Sequence, residues 1–277
     1  MNDFERAKTV LKGAEYILVG GGSGLSAAAG LTYSGARFKK FFSDFIERYR
    51  MTDMYSAGFY PFSAQEEKWA YWSKHIFVNR YLPPALPLYR DLFSFLENKN
   101  YFVITTNVDH QFYKAGFQTE KIFAVQGDYG KFQCANGCHS SLYDNEAAVR
   151  EMVRSQKDCR IPASLVPVCP VCGADMEVHI RKDARFVQDD AWYETASRYD
   201  AFVNKAARQG KTVLLELGVG FNTPAIIRFP FERFVCHNHR AHLIRANLDD
   251  CDAIPEITDR TISLCGSLSD TFKLLFC

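Results

Sequence analysis

The sequence predicts an α/β fold with a parallel sheet, helices on both faces, a small cysteine-rich domain and a helical insertion. Short apolar runs alternate with segments of helical periodicity, which is the pattern of strands joined by crossover helices. Each run ends in Gly, Asn, Asp or Ser, so polar groups would gather at one edge of the sheet, where open α/β sheets bind ligands. Two close pairs of cysteines interrupt the alternation between residues 130 and 183.

The first strand and its loop give the strongest local signal. After a helical pattern near the N-terminus, the apolar run Tyr16 to Val19 leads into three glycines and a small-residue segment that starts a helix. A strand, a glycine-rich loop and a helix N-terminus together let backbone N–H groups approach a phosphate closely. The loop therefore predicts a pyrophosphate site, with a plain tight turn as the alternative. The candidate binding residues are Gly22, Ser23, Gly24, Ser26 and Ala27.

Residues 32–98 form the predicted helical insertion. Aromatic and aliphatic side chains recur there at helical spacing, for example Phe38, Phe42 and Phe45, and later Tyr89 and Leu92. Such stripes are the core-facing sides of helices. The insertion lies between the first and second strands and would be either a lid over a cofactor or a dock for an acceptor.

The remaining strands place further polar residues at the same edge. The run from Tyr101 to Thr105 ends in Thr-Asn-Val-Asp, and a short strand near residue 124 ends in Gln-Gly-Asp. A helix over 192–208 precedes the run from Val213 to Leu217, and a second helix is predicted to start at Thr223 and Pro224. Strands near 244 and 263 and a terminal helix complete the pattern. The candidate residues at these strand ends are Asn107, Asp109, Gln126, Gly218, Val219, Gly220, Asn222, Asn247 and Leu268.

These patterns divide the chain into three units. Segments 1–31, 99–129 and 184–277 would form the nucleotide-binding domain, and 32–98 its helical insertion. Segment 130–183 would form the small module.

The small module carries two cysteine pairs, Cys134-x-x-x-Cys138 and Cys169-x-x-Cys172. Thiolates in two such turns can hold a tetrahedral zinc ion, and four protein ligands leave no open position, so the metal would be structural. The alternatives are unligated thiols or a redox pair. His139 is the main alternative ligand if one of the four cysteines does not bind the metal. A second group around Cys236, with His237, His239 and His242, is more typical of a solvated loop. The remaining cysteines are predicted to be small buried apolar residues: Cys159, Cys236, Cys251, Cys265 and Cys277.

Composition excludes several partners and compartments. The chain has 277 residues and a net charge of +1, which gives no basic surface for nucleic acid. The chain contains no apolar run of about 18 residues, so no membrane span is predicted. The N-terminus lacks the apolar run of an export signal, so a cytoplasmic location and no disulfide framework are expected.

Taken in order, the motifs resemble those of the sirtuins. Residues 22–31 are similar to their G-A-G-x-S-x-x-x-G-I loop, 106–109 to T-Q-N-I-D, and 125–127 stand where they have x-H-G. The cysteine pairs match their zinc ribbon, and Gly218 to Gly220, Asn247 and 266–268 match their later nucleotide loops. The resemblance covers nearly the whole chain and implies NAD bound between a Rossmann-like domain and a small zinc domain.

Three departures narrow the resemblance. The sirtuin P-D-F-R is absent after the first loop, the V-x-F-G-E after the ribbon is absent, and Gln126 replaces the catalytic histidine. This combination is similar to the class M, macrodomain-linked bacterial sirtuins. That branch implies ADP-ribosylation of a lipoylated carrier protein of the glycine-cleavage type and a functional link to a macrodomain hydrolase.

The substitution at position 126 has a chemical consequence. Breaking a nicotinamide–ribose bond needs positioning and electrostatics, which Asn107 and Asp109 can supply. Sirtuin deacylation also needs a base, and a glutamine amide takes up no proton. The expected activity is therefore ADP-ribosyl transfer. The alternatives are a deacylase with His110 as base, an NAD hydrolase, a non-catalytic NAD-binding module, or mere turn residues at the three positions.

Overall fold

The computed structural model describes residues 2–276, and its core is a six-stranded parallel sheet. The order across the sheet is β3-β2-β1-β7-β8-β9. The other three strands form a separate antiparallel sheet in the order β5-β4-β6. The strands are β1 Tyr16–Gly21, β2 Tyr101–Thr105, β3 Ile122–Ala124, β4 Gly127–Cys134, β5 Tyr143–Asp144, β6 Met176–Ile180, β7 Thr212–Leu217, β8 Ala241–Asn247 and β9 Thr261–Cys265.

Helices cover both faces of the main sheet and form the insertion between β1 and β2. They are α1 Asp3–Lys12, α2 Ser23–Ala28, α3 Gly35–Tyr49, α4 Met54–Ala57, α5 Gln65–Ile76, α6 Pro87–Leu96, α7 Gln111–Lys114, α8 Glu146–Ser155, α9 Asp190–Gln209, α10 Arg228–His237 and α11 Leu268–Phe276. A π-helical turn, Phe77–Tyr81, continues α5, and 3-10 turns span Thr119–Lys121, Ala163–Leu165 and Pro255–Arg260. No helix within residues 2–276 combines the length and the apolar character that crossing a membrane requires.

The strand order explains where a ligand would bind. β1 pairs in parallel with β2 on one side and with β7 on the other, so the chain winds outward in both directions from β1. This is the doubly wound arrangement of dinucleotide-binding folds, in which the crevice opens at the carboxyl ends of the two central strands. The predicted α/β class with a Rossmann-like parallel sheet is confirmed.

The hydrophobic clusters show how the three predicted units pack against one another. Tyr89 and Leu92 of α6 pack in the main core with β1 and β2, so the end of the 32–98 segment belongs to the main domain. Phe42 and Trp69 of the insertion share one core with Phe132 of the small sheet. Insertion and small module thus stabilise each other, and β4 begins at Gly127, before the expected boundary.

Two local expectations are corrected by the structure. Residues 222–227 form turns, with Phe229 N donating to Pro224 O at 2.9 Å, and α10 begins at Arg228. Cys251 and Cys265 form a disulfide, which the sequence did not predict because the chain showed no paired pattern there. Cys159 is buried as expected. Cys277 lies outside the described residues.

Candidate active site at the carboxyl edge of the sheet

The glycine loop after β1 packs directly against the loop after β7. Gly24 N donates to Gly218 O at 2.9 Å, and Gly22 N donates to Leu217 O at 3.0 Å. A Cβ atom on Gly22 would lie 2.4 Å from Gly218 O, which no side chain tolerates. Gly218 itself has a φ of 61°, in the left-handed region that favours glycine. These glycines therefore let two strand-end loops meet at the central crevice.

A buried polar network lies beside this junction. Ser26 Oγ, on α2, donates to a carboxylate oxygen of Asp109 and lies 2.6 Å from the hydroxyl of Tyr89 on α6. The Asn107 side-chain nitrogen lies 3.1 Å from Ser26 Oγ and 3.2 Å from the Tyr89 hydroxyl. The structure thus brings together three sequence-predicted residues and adds Tyr89. That tyrosine was expected only as a core residue of its helix.

The network fixes which atom of Asn107 is available to a ligand. Its Nδ2 also donates to Gly22 O at 2.9 Å, and its backbone N donates to Thr105 Oγ1 at 3.0 Å. An amide nitrogen has two hydrogens, and both are directed into the protein. Asn107 Oδ1 has no partner within residues 2–276 and can accept a hydrogen bond from a ligand hydroxyl.

Asp109 is a carboxylate in a nearly dry position. Its exposed fraction is 5%. Burial raises the pKa of Asp109, whereas the hydrogen bonds from Ser26 and from the Gln111 backbone N–H oppose the rise. A buried negative charge held in place by fixed donors is suited to stabilising positive charge in a reacting substrate.

Gln126 lies next to this network because its segment runs beside the loop after β2. Val125 N donates to Thr105 O at 3.1 Å, and Tyr129 N donates to Val108 O at 3.0 Å. Gln126 is half-buried, and its backbone O accepts a hydrogen bond from Arg181 N. Its side-chain amide has no protein partner within residues 2–276 and is free to contact a ligand.

The strand ends of β7, β8 and β9 form a more open part of the site. Asn247 Nδ2 donates to Val219 O at 3.0 Å, and Asn247 O accepts from Gly266 N at 2.9 Å, so the three loops are tied together. Gly220 and Asn222 are exposed, as are Ser23 and Ala27 across the crevice. Leu268 is different: its side chain is buried in the main core, so it could offer a ligand only its backbone.

The four predicted metal ligands come together in the small module. Their sulfur atoms all lie within 4.8 Å of one another. Cys134 Sγ is 3.6 Å from Cys172 Sγ, and Cys138 Sγ is 3.7 Å from Cys169 Sγ. Zinc–sulfur bonds of about 2.3 Å at tetrahedral angles put sulfur atoms about 3.8 Å apart, so the geometry fits zinc.

The alternative metal ligands do not form a second centre. His139 Nδ1 lies 2.9 Å from Cys138 Sγ and its Nε2 lies 2.8 Å from the Tyr143 hydroxyl, which suits a neighbour of the cluster rather than a fifth ligand. Within residues 2–276, the four cysteines are the one group of three or more candidate ligands close enough to share a metal ion. The residues around Cys236 therefore provide no site.

The structure also shows a buried tyrosine–histidine chain that sequence reasoning missed. His75 Nε2 lies 2.9 Å from the Tyr129 hydroxyl, which lies 2.9 Å from the Tyr33 hydroxyl. Burial lowers the pKa of His75 to about 3 and raises the pKa of Tyr33 to about 12. These groups stay neutral near pH 7, so the chain stabilises the contact between insertion and small sheet. Periodicity in the sequence does not reveal such a chain, because its members come from a loop, a helix and a strand.

Comparison with known proteins identifies the family. No family model matches the chain. A protein ADP-ribosyltransferase of Staphylococcus aureus is 37% identical over 266 residues, covering 96% of this chain and 84% of that protein. A probable bifunctional ADP-ribose hydrolase/ADP-ribosyltransferase of Fusarium oxysporum is 32% identical over 283 residues. The match covers 97% of this chain, which spans 47% of that longer protein.

Solved sirtuin structures share the fold. The structure of Sir2Tm bound to a propionylated peptide has a TM-score of 0.61 at 17% identity and covers 98% of this chain and 97% of its own. A mutant Sir2 homologue in complex with ADP-ribose has a TM-score of 0.57 at 13% identity, over 98% of this chain and 94% of its own. The identity and coverage of the Staphylococcus relative show that the chain belongs to the family of protein ADP-ribosyltransferases, and its fold is that of the sirtuins.

Proposed function

We propose that this enzyme transfers ADP-ribose from NAD to a lipoylated carrier protein of the glycine-cleavage type, with release of nicotinamide, in the cytoplasm. Transferase activity follows from the family, and the acceptor is our proposal from the motif pattern. The co-substrate is supported by the doubly wound sheet and by the glycine loop at its crevice. The catalytic roles below are part of the same proposal.

The observation that carries the proposal is an amide where a proton acceptor would be needed. The segment of Gln126 runs beside the loop that carries Asn107 and Asp109, and the Gln126 side chain neither gains nor loses a proton near neutral pH. Removing a ribose hydroxyl proton, the step that deacylation requires, has no base at this position. Cleavage of the nicotinamide–ribose bond needs no proton acceptor, because nicotinamide leaves as a neutral molecule.

The residues around the crevice suit that cleavage. Asn107 Oδ1 would accept a hydrogen bond from a ribose hydroxyl, since its Nδ2 is held by Gly22 O. The buried carboxylate of Asp109 would stabilise the positive charge that develops on the ribose. Gln126 would orient the ribose or the incoming acceptor. The open loops of β7 to β9 would bind the adenosine part.

A link to an ADP-ribose hydrolase is a further part of the proposal. The Fusarium relative combines hydrolase and transferase in its name, and this chain spans 47% of it. A macrodomain hydrolase would therefore remove the ADP-ribose that this enzyme attaches to its acceptor.

The test uses NAD labelled in the adenylate and a carrier protein prepared with and without lipoate. We expect label on the lipoylated carrier only, and none with Asn107→Ala. Equal labelling of both carriers would refute the lipoyl requirement. Undiminished labelling by Asn107→Ala would refute the assigned site.

One contact keeps a deacylase as the second candidate. His110 Nδ1 lies 2.5 Å from a carboxylate oxygen of Asp128, and a histidine oriented by a carboxylate is a common general base. Incubation with an acetylated peptide and NAD separates the two functions. Formation of O-acetyl-ADP-ribose would support the deacylase, and its absence alongside carrier labelling would support the transferase.

A further inference from the structure

Asp128 joins three separate segments next to the site. One carboxylate oxygen lies 2.5 Å from His110 Nδ1, in the loop after β2. The other accepts from Arg80 Nε at 2.8 Å and from Gly130 N at 2.6 Å. Arg80 belongs to the π-helical turn of the insertion, and Asp128 to β4 of the small sheet. Loop, insertion and small sheet therefore meet on one carboxylate.

His110 is held in a backbone conformation that needs such support. Its φ is 67°, in the left-handed region that non-glycine residues adopt only at a cost in free energy. It follows Asp109 directly, so a change in its backbone would move the Asp109 carboxylate. The Tyr113 ring stacks on the imidazole with centroids 4.2 Å apart. Stacking and ion pairing together fix the residue.

A lysine makes the connection to the insertion a double one. Lys114, on α7 and one turn beyond His110, donates through Nζ to Arg80 O and to Pro83 O, the latter at 2.6 Å. The π-helical turn is thus attached to α7 through Lys114 and to β4 through the Arg80 side chain. Movement of the insertion would be transmitted to residues 107–110.

We propose that His110 is a positioning residue that, through Asp128, sets Asn107 and Asp109 for nicotinamide cleavage and couples them to the insertion. The inference rests on the proposed function to the extent that NAD is the reacting molecule. It does not depend on which acceptor is modified. It also makes the imidazole a hydrogen-bond donor to Asp128 rather than a proton acceptor in the reaction.

The charges around the imidazole support a donor role across the neutral range. Although burial opposes it, hydrogen bonding and charge from His110 and Arg80 lower the pKa of Asp128 to about 2. The carboxylate is therefore ionised at every working pH and can accept the Nδ1–H of the imidazole. The other charged or titratable groups facing this pair are Arg80, Tyr81, Asp109, Tyr113, Lys114 and His179.

Two substitutions separate positioning from base catalysis. The measured reaction is exchange of labelled nicotinamide into NAD, which needs no acceptor and no proton removal, since the attacking pyridine nitrogen carries none. We expect His110→Ala to lower kcat for exchange about 10- to 100-fold, with KM for NAD changed less than about threefold. His110→Asn should restore exchange to within about fivefold of wild type, because its amide can donate to Asp128.

NAD hydrolysis to ADP-ribose is measured in parallel between pH 6 and 8, because water loses a proton on attack. Positioning predicts that His110→Asn restores hydrolysis too, with the wild-type pH profile. A variant that exchanges normally but does not hydrolyse would overturn the proposal in favour of a base. Full activity of His110→Ala would also overturn it.

Asp144→Asn is the matched control, because it removes the exposed ion pair between Lys131 and Asp144 on the same sheet. Its exchange rate should equal that of wild type, and melting temperatures of all variants show whether each folds. If wild type exchanges nicotinamide but labels no lipoylated carrier, the acceptor proposal fails while the positioning of residues 107–109 is still measured.

Discussion

The crevice has two halves: a reactive half, formed by α2 and the loop after β2, and an open half, formed by the loops after β7 and β8. They differ in how many of their polar groups are already hydrogen-bonded within the protein. In the reactive half, Ser26 is hydrogen-bonded to Asp109, Asn107 and Tyr89, and much of this network is buried. In the open half, the loops after β7 and β8 expose Phe221 and Leu248, at 56% and 66% of their surface. On the reactive side, Asn107 Oδ1 and the Gln126 amide have no hydrogen-bond partner within residues 2–276.

From this difference we expect one half of the crevice to act in the reaction and the other to bind the rest of the nucleotide. Groups that act on a developing charge must be oriented before the reaction, and a buried network does this. Loops that hold the rest of a nucleotide can remain open until the ligand covers them. Substitutions in the reactive half should therefore lower kcat, and substitutions in the open half should raise KM for NAD.

The largest effect should come from removing zinc, which supports the small sheet beside the reactive half. β4 carries Asp128 near one end and Cys134 at the other, and Cys169 lies in the core shared with the insertion. We expect Cys169→Ser or a chelator to lower the melting temperature by about 10 °C and to abolish nicotinamide exchange. Differential scanning calorimetry and zinc analysis measure this.

Cys236→Ser is the control, since that thiol lies outside the cluster. It should leave the melting temperature and the zinc content unchanged. If zinc-free protein kept full exchange activity, the small module would not support the reactive half.

The next effect should come from Asp109→Asn, which separates stability from turnover. We expect exchange to fall about 100-fold or more, because the charge facing the ribose is lost. Burial raises the pKa of Asp109 above its ordinary value of 3.8, so the folded state holds the proton more tightly than the unfolded state. The stability of wild type relative to this variant should therefore decrease as pH rises above about 4.

Melting curves of both proteins between pH 3 and 7 test the sign. A variant that melts lower than wild type at pH 7, with the gap closing toward pH 3, would show that the carboxylate stabilises the fold.

Much of this comparison could be predicted from sequence, because strand ends in a parallel sheet share one edge. The glycine loop, Asn107, Asp109 and the four cysteines were found by local pattern. The contact of Tyr89 with Ser26 and the contact of His110 with Asp128 were not, since they join residues 63 and 18 positions apart in the chain. Leu268 was predicted to bind the nucleotide because residues 266–268 match a sirtuin nucleotide loop, although its side chain packs in the main core.

The smallest effect should come from Phe221→Ala in the open half. The Phe221 ring has one face over the Arg228 guanidinium at 4.2 Å, and its exposed remainder could contact a nucleotide. We expect KM for NAD to rise about two- to fivefold, the loss of about 0.5–1 kcal/mol of contact, with kcat and melting temperature unchanged. Phe229→Ala removes another exposed phenylalanine, on α10, and should change neither constant. If Phe221→Ala instead lowered kcat at constant KM, the open half would take part in turnover and the division between the two halves would not hold.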